Sequence, residues 1–128
     1  MKIKIGIVFM LFFIATSCVK SQTDDIKLVN TTVFEEKMKE EGVQLVDVRT
    51  PEEFASGHLK NAININSNDS NFKQQIESLD KTKPILVYCK SGGRSGRACG
   101  QLKELGFTTI IDLDGGILAW KADGKSVE

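Results

Sequence analysis

The sequence holds one histidine, His58, and three cysteines, Cys18, Cys89 and Cys99, among 128 residues. That leaves too few soft ligands for a structural zinc site. No charge is in excess: 17 basic side chains stand against 17 acidic ones, whereas a dedicated nucleic-acid binder shows a basic excess or patch. There is no internal repeat and no low-complexity tract. With 41% hydrophobic and 27% charged residues, the composition is globular and excludes a collagen-like or disordered chain. No apolar run reaches the roughly 20 residues that a membrane-spanning helix needs. The length admits one domain at most, and the residues beyond the N-terminus suffice for a single packed core.

The N-terminus reads as a separate object. Lys2 and Lys4 precede the apolar stretch Ile5–Ala15, and Thr16, Ser17 and Cys18 come after it, the grammar of a secretory signal peptide. The stretch lacks the polar face that a surface helix of a small domain requires. Ala15 and Ser17 are small at the third and first positions before Cys18, which suits ordinary signal cleavage. Ile14-Ala15-Thr16-Ser17-Cys18 also resembles a bacterial lipoprotein signal, with Ala15 in place of the usual leucine. That resemblance implies lipidation of Cys18 as the new first residue. Lipidation is the favoured route, because a free cysteine at a secreted N-terminus is a liability. The expected organisation is a signal peptide over 1–17, a polar tether over 18–25 and a domain over 26–128. The loss of Lys2 and Lys4 leaves the mature chain slightly acidic. It is expected to be exported and either periplasmic or attached to a membrane through lipidated Cys18.

Beyond the tether, strands and helices alternate. Residues 26–29 form a strand candidate, and Thr32 with Glu35 offers a capping box for a helix that Gly42 can end. The nearly all-apolar run 43–48 reads as a strand buried on both faces. Thr50-Pro51-Glu52-Glu53 repeats the helix-start pattern, with Gly57 closing a short helix. A short strand over 62–65 precedes a helix over 71–79 with Phe72, Ile76 and Leu79 on one face. Residues 84–88 form a strand ending at Cys89, and 95–105 a helix with Ala98, Leu102 and Leu105 inward. A strand over 109–112, then Gly115-Gly116 and a short helix containing Trp120, complete the pattern. Such alternation argues an α/β domain with a mainly parallel sheet.

The chemistry converges on Cys89-Lys90-Ser91-Gly92-Gly93-Arg94-Ser95, between an apolar strand and a helix. In a parallel α/β sheet, ligands bind at the carboxyl ends of strands. Adjacent glycines let successive amides curl around one concavity suited to an anion, and the next helix adds the positive end of its dipole. A cysteine at the lip of that nest, near Lys90 and Arg94, should have a lowered pKa and stand largely as thiolate. The competing reading, Cys89 as a small buried strand residue before an ordinary glycine turn, explains less of the loop.

Three ordered motifs carry a family resemblance. Leu45-Val46-Asp47-Val48-Arg49-Thr50-Pro51-Glu52-Glu53-Phe54, with Gly57-His58-Leu59 and Ala62-Ile63-Asn64, is similar to the first signature of rhodanese-like domains. Val87-Tyr88-Cys89 through Arg94-Ser95 resembles their active-site loop, and Gly115-Gly116-Ile117-Leu118-Ala119-Trp120 their C-terminal motif. The likeness covers about residues 27–124. It implies a rhodanese-like fold, a five-stranded parallel sheet flanked by helices, with Cys89 as the residue that becomes a persulfide. The implied reaction takes the outer sulfur of a small anionic donor such as thiosulfate onto Cys89 and passes it to a thiol or to cyanide. The cysteine itself carries the sulfur, so neither metal nor organic cofactor is implied. Arg94 would anchor the loop or the donor anion, and Lys90 would attract that anion from solvent.

The other candidates read as structural. Asp47 and Arg49 straddle a strand end and suit an ion pair. His58 falls in a turn remote from the loop in the resemblance, which argues against its activating Cys89. Trp120 suits packing of the last helix, and Cys99, next to inward Ala98, suits the core. At about 1.5 Å of rise per residue, Cys99 lies too far along its helix for a disulfide to Cys89. Lys60-Asn61 departs from the family pattern in a turn only. Two rival functions remain. A cysteine phosphatase or arsenate reductase keeps five residues between its cysteine and arginine, but here there are four, Lys90 to Gly93, and a smaller nest suits a single sulfur. A non-catalytic binding module is expected where the cysteine is missing, but Cys89 is present.

Overall fold

The computed structural model describes residues 26–128, so the expected signal peptide, tether and Cys18 lie outside the described residues. Ten elements alternate: β1 (Ile26–Val29), α1 (Thr31–Met38), β2 (Gln44–Asp47), α2 (Pro51–Ala55), β3 (Ile63–Asn64), α3 (Phe72–Ile76), β4 (Ile85–Tyr88), α4 (Gly93–Glu104), β5 (Ile110–Leu113) and α5 (Gly116–Ala122). The five strands form one sheet in the order β1-β5-β4-β2-β3, and every pairing is parallel. The expectation of a mainly parallel sheet is met in full.

Alternation along the strands divides the core. Ile85, Val87 and Cys89 face one side of the sheet with Ala98, Cys99 and Leu102 of α4. Leu86 and Tyr88 face the other, with Phe34 of α1 and Ile117 and Trp120 of α5. A central strand buried on both faces has no polar alternation, which is why β4 reads as a continuous apolar run. From β2 the chain moves outward to β3, and from β4 it moves the opposite way to β5. The crevice between the carboxyl ends of β2 and β4 is therefore the topological switch point.

Local grammar placed some elements correctly. Thr50 and Glu53 form the reciprocal capping box with Pro51 in the first turn. Elsewhere packing moved the ends. The cap of α1 is Asn30, whose side chain accepts from the Val33 amide at 2.9 Å; the Thr32–Glu35 box does not form. Thr31 is buried and donates its hydroxyl to Asp123, and Glu35 pairs instead with Lys125 at 3.0 Å. α1 ends at Met38, before Gly42, and α3 stops at Ile76, so Leu79 packs from the turn after it. β3 is only two residues long.

Candidate active site

α4 begins two residues earlier than the sequence pattern suggests. Gly92 is its cap, with φ +119°, a backbone state that strains any residue with a Cβ. Gly93, Arg94 and Ser95 therefore belong to the first helical turn, and the true loop is only Cys89 to Gly92. This brings the helix N-terminus directly over the cysteine.

Cys89 Sγ receives the Gly92 amide at 3.0 Å and lies 3.4 Å from the Ser95 hydroxyl. Burial by itself would raise the pKa of this thiol. The Ser95 hydroxyl and the amides of Ser95, Gly92 and Ser91 outweigh that, and hold the pKa below its ordinary value. Each of these donors favours the charged sulfur over the neutral one. Lys90 and Ser91 are exposed at the rim.

The loop is held from behind. The Ile117 and Leu118 amides of α5 donate to the carbonyls of Cys89 and Lys90 at 2.9 and 3.1 Å. With those carbonyls turned away, the loop amides are left to face the sulfur. The approach is so close that a Cβ on Gly116, where φ is +60°, would stand 2.5 Å from both carbonyl oxygens. The Gly115-Gly116 motif is thus the back wall of the site. Its sequence signal was visible, but its place against Cys89 was not.

Arg94 does not point at the nest as a free cation. Its guanidinium grips the Glu53 carboxylate with two bonds of 2.6 and 2.9 Å, clamping α2 to α4 across the switch-point crevice. The Arg94 hydrogen bond holds the Glu53 carboxyl at about 2. Of the two roles expected for Arg94, this pair suits anchoring better than a direct grip on the donor. Glu53, read from sequence only as a helix cap, is its partner.

Asp47 and Arg49 form a buried pair: Nη2 lies 2.7 Å from Oδ2, Nε bonds the same carboxylate, and Nη2 also donates to the Gly57 carbonyl at 2.7 Å. Arg49 lies 5.7 Å from the Tyr88 ring centroid, and the Tyr88 hydroxyl accepts from the Leu59 amide at 3.0 Å. This network closes the underside of the β2–α2 turn. His58 stacks on Phe54 with centroids 3.9 Å apart and bonds the Phe54 carbonyl, so its ring is engaged away from Cys89. Trp120 and Cys99 are packed in the core. Burial, first of all, pushes the Cys99 thiol well up. A groove of about 580 Å³ bordered by Met38, Val43, Leu45 and Trp120 lies on the α1/α5 side and includes none of the Cys89 loop.

The family model described as Rhodanese-like domain matches residues 30–123. The chain is 37% identical over 102 residues to the putative sulfurtransferase YtwF of Bacillus subtilis, covering 79% of this chain and 96% of that protein. It is 40% identical over 93 residues to thiosulfate sulfurtransferase 16, chloroplastic, of Arabidopsis thaliana, covering 65% and 78%. Among solved structures, a rhodanese-related protein from Thermoplasma volcanium superposes with a TM-score of 0.71 at 32% identity, over 80% of this chain and 97% of that one.

Proposed function

The chain belongs to the rhodanese-like domain family, and on that premise we propose that it is a sulfurtransferase that carries sulfane sulfur as a Cys89 persulfide. The observation that carries the reading is the Cys89 sulfur under the Gly92 amide at 3.0 Å, in a loop whose carbonyls are tied back. The Cys89 thiolate attacks the outer sulfur of a donor such as thiosulfate. The sulfur–sulfur bond of the donor breaks, and sulfite leaves with the bonding pair. The terminal sulfur of the persulfide then carries the negative charge, and the loop amides supply fixed donors for it. An acceptor thiolate or cyanide attacks that terminal sulfur and displaces Cys89 as the thiolate, ready for the next cycle. Lys90 at the rim raises the local concentration of the anionic donor.

The phosphatase alternative is disfavoured by Arg94, whose two guanidinium bonds to Glu53 leave no bidentate clamp for a tetrahedral oxyanion. The binding-module alternative leaves the lowered Cys89 thiol without a use. A thiosulfate:cyanide assay on wild type and Cys89→Ser separates the readings. Thiocyanate production by wild type and not by a folded Cys89→Ser supports transfer; none from either sinks it.

The setting of the domain is proposed from sequence alone. Lys2, Lys4, the apolar core and the small residues before Cys18 support export, and lipidation of Cys18 would supply two or three acyl chains, enough for stable anchoring. Membrane fractionation of wild type beside Cys18→Ser tests it. Release only in the variant supports the anchor, while an uncleaved cytoplasmic product refutes export.

A further inference from the structure

The groove on the α1/α5 side takes no part in sulfur transfer through Cys89. Its volume of about 580 Å³ falls within the range of small-molecule sites. Its floor is apolar: Leu45 of β2 and Trp120 of α5 are buried, and partly buried Met38 and Val43 pack against them. The indole nitrogen already donates to the Ser126 carbonyl at 2.9 Å, so Trp120 offers the groove its apolar ring. The rim includes Lys60 and Asn61, the two positions at which the sequence departs from the family pattern. Among the described residues, Asn61 is the one non-glycine with a left-handed backbone, φ +66°. Asparagine tolerates that region better than most residues, but glycine holds it with no Cβ penalty. An outlier kept where glycine would serve points to a use for the side chain. That side chain is an exposed carboxamide at the edge of the groove.

Four charged residues border the groove: Glu35, Lys39, Glu40 and Lys60. Both acids are already answered, Glu35 by Lys125 at 3.0 Å and Glu40 by Lys37 at 3.1 Å. Among the described residues, Lys39 and Lys60 enter no ion pair. The groove therefore sets an apolar floor beneath a rim whose unanswered charge is positive. A small inorganic anion would gain nothing from the floor, and an apolar cation nothing from the rim. We propose that the groove binds an amphiphilic organic anion, a carboxylate on an aliphatic chain. The chain lies along Met38, Val43 and Trp120. The carboxylate stays at the rim with the Lys39 and Lys60 ammonium groups and the Asn61 amide.

Trp120 is the single tryptophan of the chain, so its fluorescence reads the groove directly. The purified full chain is titrated with decanoate at concentrations where it is monomeric. Decyltrimethylammonium serves as the cation of equal chain length, and acetate as the head without the chain. Decanoate should change the Trp120 emission saturably, with a dissociation constant of about 1 mM or tighter, and the other two should not. Lys39→Ala and Lys60→Ala, both at exposed positions, should each weaken decanoate about two- to fivefold. Asn61→Gly, which eases the turn, should weaken it about threefold with an unchanged or higher melting temperature. Cys89→Ser should bind decanoate as wild type does, so this test stands or falls apart from sulfur transfer. A cation bound as tightly as decanoate, or an affinity unmoved in all three rim variants, overturns the proposal. No saturable response to decanoate also overturns it. If anionic phospholipid vesicles are bound in that case, the groove is a membrane contact instead.

Discussion

Cys89 and Cys99 are both buried, at 1% and 0% exposure, on the same side of the same sheet. Burial works against ionisation in each, yet Cys89 is shifted down and Cys99 up. The difference is in the donors. Cys89 sits where a strand ends and a helix begins, so amides without intrahelical partners surround its sulfur. Cys99 sits within α4, where the amides are already bonded along the helix, and the charges near it, on Asp112 and Cys89, add to the upward push of burial. The pKa of a thiol is lowered here by the Ser95 hydroxyl and unspent backbone donors, against its depth.

The comparison breaks most completely with Cys89→Ser, which should cut thiosulfate:cyanide turnover at least about a thousandfold, because no other group takes over a lost nucleophile. Thermal melting should show a folded domain. Next is Gly116→Ala, which forces a Cβ against the Cys89 and Lys90 carbonyls. Strain and overpacking together should cost about 2–4 kcal/mol, read by denaturant unfolding, and should leave Cys89 more like Cys99 in alkylation rate. Ser95→Ala removes one donor from the sulfur and should raise the Cys89 midpoint by about one pH unit, since hydrogen bonds to charged groups are worth about 1.5–3 kcal/mol.

Glu53→Gln loosens the clamp over the loop rather than the loop itself. Glu53 is held at about 2 against an ordinary 4.5. Its extra stability is therefore present above pH 4.5 and lost as pH falls toward 2. Both partners are partly exposed, so the effect should be about 1–2 kcal/mol at pH 7 and should vanish in melts near pH 2. The smallest effect belongs to Cys99→Ala, with turnover within about threefold of wild type and a cavity cost near 1 kcal/mol. A Cys99 variant as inactive as Cys89→Ser would erase the distinction altogether.

Much of this was legible in the sequence because it is local. The Thr50-Pro51-Glu53 start, the apolar run of β4 and the glycines after Cys89 each declare themselves within a few residues. What was hidden depends on partners far along the chain. Asn30, Thr31 and Thr32 are all competent caps, and the choice falls to Asn30 while Thr31 is drawn to Asp123. Arg94 looked free for an anion because Glu53, its partner, lies on a different helix. The early start of α4 was masked by Gly92 and Gly93, which read as loop although Gly92 caps the helix and Gly93 begins it.

The carbonyl brace from α5 has a consequence in time. Cys89 precedes Gly116 in the chain, so during synthesis the thiol emerges before the two amides that hold its loop in shape. Until Ile117 and Leu118 dock on the Cys89 and Lys90 carbonyls, nothing from α5 ties those carbonyls back. β1 likewise waits for β5, since Ile26 pairs with Ile110. The loop around Cys89 is thus completed by the last helix of the chain, and a chain cut short before α5 holds the cysteine without its brace.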